Sequence, residues 1–445
     1  MRTIILLLTC SLLFACTITK QIEKSAKENV LNDEALKTAH VGISIYEPAS
    51  GKYWYNYQGD KYFVPASNTK LPTCYAAMKY LGDGLVGLRV QQRGSQLFVH
   101  GTGDPTFLHE DFKQQLVLDY LKTLANSNIF VWFGSNDVHP IPFWGSGWSW
   151  TDYESDYMAE RSAFPVYGNV VWFAGQRDSI EVYPSYFTKW IVQKYSMPNG
   201  YVSEVKRELR TNEFRTFAYG KALRKNYVPF VTSDELSYEL IADLLNHPEN
   251  FITPNMPPPP PPPTSSEPYK TFVIHSQQTD SLLKPMMHRS DNFFAEQSLL
   301  MVSNERLGFM NDEKVIDTLL KTDFKDLPQK PRWVDGSGLS RYNLFSPQDF
   351  VFILNKMKND FGMPRIKNIL ATGGEGTLGS YYKKDSTFIY AKTGTLSGVV
   401  AISGFLYTKK GKELIFSVLV NNHQGSATAV RRAVEKFIEG VREKF

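Results

Sequence analysis

Along this chain apolar and polar residues alternate, recur every three to four positions, or fall into short unbroken runs. Each pattern predicts a different element. Near the start, "HVGISIYEPASGKYWYNY" alternates and turns at Pro48–Gly51, which predicts a β-hairpin. "SNTKLPTCYAAMKYLG" predicts a helix stopped by Gly82. Pro72 lies inside it, removes a backbone donor and disfavours helical geometry at Leu71, so a tight or kinked first turn is expected. Residues 21–38 are polar with helical character. "SDNFFAEQSLLMVSNERLG" predicts a helix with an apolar face, and three strand-like runs follow near the end: "STFIYAKTGT", "GVVAISGFLYT" and "ELIFSVLVNN", the last entered through a turn at "KKGK". In "ATAVRRAVEKFIEGVREKF", Val430, Val434, Phe437, Ile438 and Val441 share one helical face, which should cover the sheet made by those strands.

The stretch from 89 to 267 has another texture. It is rich in Trp, Tyr, Gly and Pro, with short strand-like runs such as "NIFVWFG" and "NVVWFAG". It closes in a proline-rich linker over 254–268, whose seven consecutive prolines, Pro257 to Pro263, can join neither helix nor sheet and predict a stiff, solvated spacer. No internal repeat is visible. The organisation expected is therefore a signal segment over 1–15, one domain assembled from 16–88 and 268–445, and an inserted, β-rich region over 89–267.

The first residues set the compartment. "MRTIILLLTCSLLFAC" has one early positive charge and an apolar run from Ile4 to Ala15, too short to span a bilayer but suited to a signal-peptide core. Its end, "LFAC", resembles the bacterial lipoprotein signal, in which cleavage leaves the cysteine, here Cys16, as a lipidated N-terminus. The alternative is a plain secretion signal. An exported protein of the periplasm or cell envelope, held to a membrane by an acyl anchor, is expected. Only Cys16 and Cys74 would remain after cleavage, so no disulfide framework is expected. Cys74 reads as a small buried hydrophobe.

Composition narrows the function classes. A length of 445 residues suits two or three domains, and 42% hydrophobic with 21% charged residues is ordinary for a globular protein. The 49 basic and 45 acidic residues nearly balance and no basic block stands out, which argues against a nucleic-acid partner. The 14% aromatic content fits either ordinary packing or a groove for an extended sugar or peptide.

Three short motifs carry the candidate chemistry. Ser67-Asn68-Thr69-Lys70 places a lysine three residues after a serine, one helical turn away, where its amine can reach the serine oxygen. Taken alone this stretch reads more readily as a capped helix start with a solvated lysine. To act as a base Lys70 must be neutral, which burial or a second nearby cation would favour. Ser290-Asp291-Asn292 lies just before a predicted helix: a capping turn, or a proton relay through Ser290 with Asn292 donating to a substrate amide. Lys392-Thr393-Gly394-Thr395 lies on a strand. It is a plain edge strand, or an edge where an extended peptide adds, Lys392 and Thr393 bind a carboxylate, and Gly394 permits close approach. Backbone N–H groups of Ser67 and Thr395 would then form an oxyanion hole. The combination of S-x-x-K, SDN and KTG in this order marks penicillin-binding proteins and class A β-lactamases. There is no G-x-S-x-G, no HExxH and no other metal-ligand spacing, so neither metal nor cofactor is expected.

On these motifs the chain resembles the D-alanyl-D-alanine carboxypeptidase/endopeptidases of the class C low-molecular-mass penicillin-binding proteins. "DGSGLSRYN" (Asp335 to Asn343) and "GGEGTL" (Gly373 to Leu378) are similar to segments such enzymes carry between the second and third motifs. "GTGDPTF" (Gly101 to Phe107) and "GWSWTD" (Gly147 to Asp152) resemble pieces of their large insertion. The resemblance implies an α+β, penicillin-binding-protein/β-lactamase-like transpeptidase fold, with an antiparallel sheet flanked by helices, an all-helical subdomain and a large β-rich insertion. It implies a serine-type hydrolase with Ser67, Lys70 and Ser290 catalytic, and Asn292, Lys392, Thr393, Gly394 and Thr395 binding substrate. Peptidoglycan stem peptides would be its substrates and β-lactam antibiotics its covalent inhibitors. Two other readings stay open: a β-lactamase or related serine esterase, and a non-catalytic cell-wall binding protein.

Overall fold

The structure, a computed structural model, describes residues 18–134, 140–176, 179–196, 202–218, 221–254 and 269–445. The signal-like run over 1–15, Cys16 and the prolines Pro257 to Pro263 lie outside the described residues. The strands in chain order are β1 (His40–Glu47), β2 (Lys52–Tyr57), β3 (Gly84–Arg93), β4 (Gln96–Gly101), β5 (Phe130–Gly134), β6 (Val170–Gln176), β7 (Ser179–Tyr183), β8 (Ile191–Ser196), β9 (Glu204–Arg207), β10 (Phe214–Ala218), β11 (Asn226–Pro229), β12 (Phe251–Ile252), β13 (Lys270–Gln278), β14 (Ala371–Thr372), β15 (Ile389–Leu396), β16 (Val399–Tyr407) and β17 (Glu413–Asn421). The helices are α1 (18–26), α2 (Lys70–Tyr80), α3 (Leu116–Ala125), α4 (Asp234–Leu244), α5 (Thr279–His288), α6 (Asn292–Leu307), α7 (Asp312–Lys321), α8 (Pro347–Phe361), α9 (Met363–Ile369) and α10 (Ala427–Lys444). The chain forms two compact units. The first runs to Ala76 and adds Leu283–Asp291 and Ile316–Phe445, and the second is Ala77–Leu282 with Asn292–Val315.

The first unit is built on a six-stranded antiparallel sheet in the order β14-β15-β16-β17-β1-β2. The predicted hairpin is β1–β2, and the three predicted runs near the end are β15, β16 and β17. β16 and β17 are buried along nearly their whole length, because both faces of these central strands are covered. One face, with Ile43, Ile45, Ile402, Phe416 and Val418, shares a core with α10, whose Val430, Val434, Phe437, Ile438 and Val441 are all buried. Burying side chains of this size contributes roughly 1.5–3 kcal/mol each, as an upper bound. The opposite face must stay thin. A Cβ on Gly42 of β1 would stand 2.5 Å from the Phe63 ring and 2.8 Å from Pro347, the first residue of α8. Ser346 and Asp349 cap α8 reciprocally, a capping box closed by its own side chains.

The second unit holds a five-stranded sheet, β12-β5-β4-β3-β13, and two three-stranded sheets, β8-β10-β9 and β11-β6-β7. The β4–β5, β5–β12 and β8–β10 pairs are parallel, and α3 lies on the crossover from β4 to β5. Much of the aromatic content is spent on packing here: Phe133, Phe164, Phe173, Phe187, Phe214 and Phe230 are all buried in one core. Helix α6 differs from the expectation of a single apolar face. Every residue from Phe293 to Ser303 is buried. Its polar side chains are satisfied from within this unit. Glu296 pairs with the buried Arg161 at 3.4 Å, and Gln297 donates to the carbonyls of Gly103 (2.7 Å) and Ser162 (2.9 Å). Among the described residues no helix is long and apolar enough to cross a membrane.

Candidate active site

The serine and lysine of the first motif meet because the helix starts tighter than predicted. Ala66–Thr69 is a 3-10 turn and α2 begins only at Lys70. In 3-10 geometry side chains at i and i+3 eclipse, so Lys70 lies over Ser67 and its Nζ donates to Ser67 Oγ at 3.1 Å. Pro72 is the third residue of α2, in the first turn, where the missing N–H would have had no helical acceptor. The proline therefore leaves the helix intact. The capping alternative is not realised: the residue at the N-cap is Pro65, with no side-chain cap. Ala66, just before the serine, has φ +47, a left-handed conformation that costs an alanine about 1–2 kcal/mol and turns the chain so that Ser67 is half-exposed while its neighbours are buried.

Lys70 is fully buried and its Nζ also donates to the carbonyl of Ser337 at 2.7 Å. That carbonyl is held by the "DGSGLSRYN" segment. The Asp335 carboxylate accepts from the Gly338 N–H (2.8 Å), the Ser340 N–H (2.6 Å) and the Asn343 amide (2.7 Å). Gly338 (φ +86) is required here, since a Cβ would stand 1.9 Å from the Ala66 carbonyl oxygen. The segment was noticed in the sequence, but its role as a carbonyl rest for Lys70 was not visible there.

The second and third motifs supply another serine–lysine pair. Lys392, fully buried on β15, donates from Nζ to Ser290 Oγ (2.8 Å) and to the Thr393 carbonyl (2.7 Å). Burial, and secondly the charge of Lys70, holds the Lys392 amine well below the usual lysine range. Ser290 has φ +65, a strained left-handed position between α5 and α6 that aims its hydroxyl at Lys392. Asn68, an unassigned member of the first motif, ties the two pairs together: its amide nitrogen donates to the Lys392 carbonyl (2.8 Å), while its oxygen accepts from the Ser403 N–H (3.2 Å) on β16.

"GGEGTL" is the brace behind these motifs. A Cβ on Gly376 (φ +47) would stand 2.2 Å from the carbonyl oxygen of His288, two residues before Ser290. Next to it, the Thr377 hydroxyl accepts from the Thr393 hydroxyl at 2.7 Å. One short loop thus touches both the second and the third motif. Thr377 was missed in the sequence, where nothing distinguished it from any other loop threonine.

The remaining predicted residues fall as follows. β14 pairs only with Tyr390 and Ala391, so among the described residues the edge of β15 from Lys392 to Leu396 has no strand beside it. Gly394 brings that strand against Ser67: a Cβ there would stand 2.7 Å from the Pro65 carbonyl oxygen and 2.9 Å from the Ser67 nitrogen. Thr393 and Thr395, two apart, project from the other face of β15. Asn292 opens α6 in the second unit, where its amide donates to the Tyr157 carbonyl at 3.2 Å. Cys16 lies outside the described residues. Cys74, on α2, is buried as expected.

A half-exposed serine bonded to a buried lysine, with a second buried lysine whose amine is held well below the usual lysine range, has the parts of an active-serine acyl-transfer centre. The chain belongs to the D-Ala-D-Ala carboxypeptidase 3 (S13) family, which its residues 24–186 and 263–441 match. It is similar to a D-alanyl-D-alanine carboxypeptidase of Actinomadura sp. (strain R39), at 26% identity over 91% of this chain and 82% of that protein. In structure it is similar to penicillin binding protein 4 (dacB) from Haemophilus influenzae, with a TM-score of 0.71 at 18% identity, covering 95% of this chain and 99% of that one. The same Haemophilus protein solved in complex with a novel β-lactam superposes with a TM-score of 0.67 at 16% identity, over 95% and 99% of the two chains. The α+β fold with an antiparallel sheet and flanking helices is therefore that of the penicillin-binding proteins.

Proposed function

We propose that this protein is a serine-type D-Ala-D-Ala carboxypeptidase and/or endopeptidase acting on peptidoglycan stem peptides through an acyl-enzyme on Ser67. The observation that carries this reading is the Lys70 Nζ to Ser67 Oγ contact of 3.1 Å, with the lysine fully buried. Ser67 Oγ attacks the carbonyl of the penultimate D-Ala while neutral Lys70 takes its proton. The tetrahedral oxyanion is held by the N–H groups of Ser67 and Thr395, whose strand is pressed against Ser67 at Gly394. The C–N bond then breaks and the leaving amine takes a proton through Ser290, which Lys392 holds at 2.8 Å. Water attacks the acyl-enzyme, returns its proton through the same groups and releases the shortened peptide. The substrate backbone adds along the edge of β15 that has no strand beside it among the described residues, and Lys392 and Thr393 face the carboxylate side. A β-lactam acylates the same serine. At the N-terminus, "LFAC" supports export to the cell envelope and acylation at Cys16.

Digestion of purified muropeptides, monomeric and cross-linked, followed by mass spectrometry, tests the function. Release of free D-Ala and opening of dimers are the expected mass changes. Rapid multiple-turnover hydrolysis of a chromogenic cephalosporin, with muropeptides untouched, would instead identify a β-lactamase.

A further inference from the structure

Three consecutive residues of the "DGSGLSRYN" segment run along the turn and helix that carry Ser67 and Lys70. The Gly336 carbonyl accepts from Thr73 Oγ1 at 2.8 Å, and the Ser337 carbonyl accepts from Lys70 Nζ at 2.7 Å. Gly338 comes so close to Ala66 that a Cβ on it would lie 1.9 Å from the Ala66 carbonyl oxygen. Residues 336, 337 and 338 thus meet residues 73, 70 and 66 in turn. Thr73 lies three residues beyond Lys70 on α2, on the same face of the helix. It is fully buried, as are Lys70, Asp335 and Ser337. A threonine inside a helix ordinarily bonds back to the carbonyl four residues before it. Here that carbonyl, of Thr69, stands at 3.3 Å, while the loop carbonyl of Gly336 is nearer at 2.8 Å. The one proton of the hydroxyl therefore ties α2 to the loop.

The loop is shaped by its own bonds. The Asp335 carboxylate takes the N–H groups of Gly338 and Ser340 and the Asn343 amide, and Asn343 Oδ1 accepts from the Val334 N–H at 2.7 Å. The Trp333 indole N–H donates to the Asp335 carbonyl at 2.7 Å. The carbonyls of Asp335, Gly336 and Ser337 each hold a side-chain donor, from Trp333, Thr73 and Lys70 respectively. A buried network bonded in this way is rigid. Rigidity matters because a lysine amine ends a flexible four-carbon stem and has no direction of its own. A neutral amine carries two N–H groups and one lone pair. Committing one N–H to a fixed carbonyl removes much of that freedom and lets the lone pair be presented to Ser67 Oγ, 3.1 Å from the same nitrogen.

We propose that Thr73 and Asp335 are positioning residues for the acylation step. Asp335 shapes the loop, Thr73 locks it to α2, and the Ser337 carbonyl so placed turns the Lys70 amine toward Ser67. Both residues act through Lys70. The inference rests on the reading of Ser67 as nucleophile and Lys70 as its base.

The test follows penicillin acylation of the whole protein by stopped flow, which separates the dissociation constant of the non-covalent complex from the first-order acylation constant. Thr73→Val keeps the outline of the side chain and removes the hydroxyl. Its acylation constant should fall roughly 10–100-fold, the effect of a misplaced reacting group, with the dissociation constant unchanged. Thr73→Ser, which keeps the hydroxyl, should recover most of the rate. Asp335→Asn, with one acceptor oxygen in place of two, should slow acylation in the same manner. An acylation constant unchanged in Thr73→Val, a loss confined to the dissociation constant, or a failure of Thr73→Ser to recover the rate overturns the positioning role and leaves the peptidase reading standing. A wild type that penicillin does not acylate overturns the peptidase reading itself. A first-order constant does not depend on how much of a sample is folded, so a destabilised variant still answers. Thr73→Ala, which removes the hydroxyl without filling its place, is read by the same criteria if the valine does not fit.

Discussion

Ser67 and Lys70 are three residues apart and meet because a 3-10 turn stacks them, whereas Ser290 and Lys392 are 102 residues apart and meet only through the assembled sheet. The first pair needs one turn of backbone. The second needs β15 held in register with β16, the loop bearing Gly376 seated on the His288 carbonyl, and a strained serine at φ +65. The chemical consequences differ too. Lys70 rests on a carbonyl, Ser337 O, beside an accessible hydroxyl. Lys392 is fully buried, and that burial, with the charge of Lys70 second, holds its amine well below the usual lysine range. Local geometry thus provides the proposed nucleophile and base, and long-range geometry sets the electrostatics around them.

Removing the nucleophile should have the largest effect. Ser67→Ala is expected to lower D-Ala release by about 10⁴-fold or more and to abolish covalent labelling by fluorescent penicillin, read on a denaturing gel. Retained labelling would move the nucleophile elsewhere. Next in size, Lys70→Met should slow penicillin acylation by about 10²–10⁴-fold and remove the acidic limb of its pH–rate profile, measured by stopped flow. An unchanged acylation rate would show that Lys70 is not the base.

Lys392→Met separates the two pairs most cleanly, because activity and stability should move in opposite directions. Acylation should fall, by about 10²-fold, since a proton path through Ser290 is lost. Stability at pH 7 should rise, with Tm higher by a few degrees, on the order of 2–4 °C for each kcal/mol. The sign follows from proton uptake. An unfolded lysine titrates near 10.4, while buried Lys392 titrates well below that, so through the intervening window the unfolded state binds more protons and wild-type stability increases with pH. The stability gain of the variant should accordingly shrink as pH rises toward about 10.4 and grow as it falls. A Tm difference independent of pH would show that Lys392 is charged in the folded protein.

Two smaller changes probe the supports. Gly394→Ala must displace either the strand or the Ser67 turn, since its Cβ would stand 2.9 Å from the Ser67 nitrogen. A loss of about 1–3 kcal/mol in urea unfolding and a slower acylation are expected. Thr377→Val removes the partner of the Thr393 hydroxyl. It should raise KM for carboxylate-ended peptides a few-fold with little change in kcat, the effect of one neutral hydrogen bond worth about 1 kcal/mol.

The three motifs were legible because acyl transfer demands particular side chains, and side-chain identity is what a sequence records. The hairpin, the three C-terminal strands and the apolar face of α10 were legible because a half-covered element must alternate or repeat. Helix α6 shows where such reading stops. Its polar residues Glu296 and Gln297 look solvent-facing in the sequence, yet Arg161 and the carbonyls of Gly103 and Ser162 satisfy them in the interior. The second unit takes in Asn292–Val315, a stretch far along the chain from the aromatic-rich region and unlike it in texture.

By itself, then, the sequence determined the chemical parts: a serine with a lysine one turn on, a second serine, a second lysine, and a glycine where a strand must come close. Tertiary structure alone decided what state those parts are in. A backbone carbonyl at Ser337, the amide of Asn68 and the hydroxyl of Thr377 are common groups with no signature of their own, and each becomes functional only by where the fold puts it. The same holds for the amine of Lys392: its identity is local, but its charge depends on burial and on a neighbour more than three hundred residues away in the chain, because electrostatic energy is set by distance and surroundings in space.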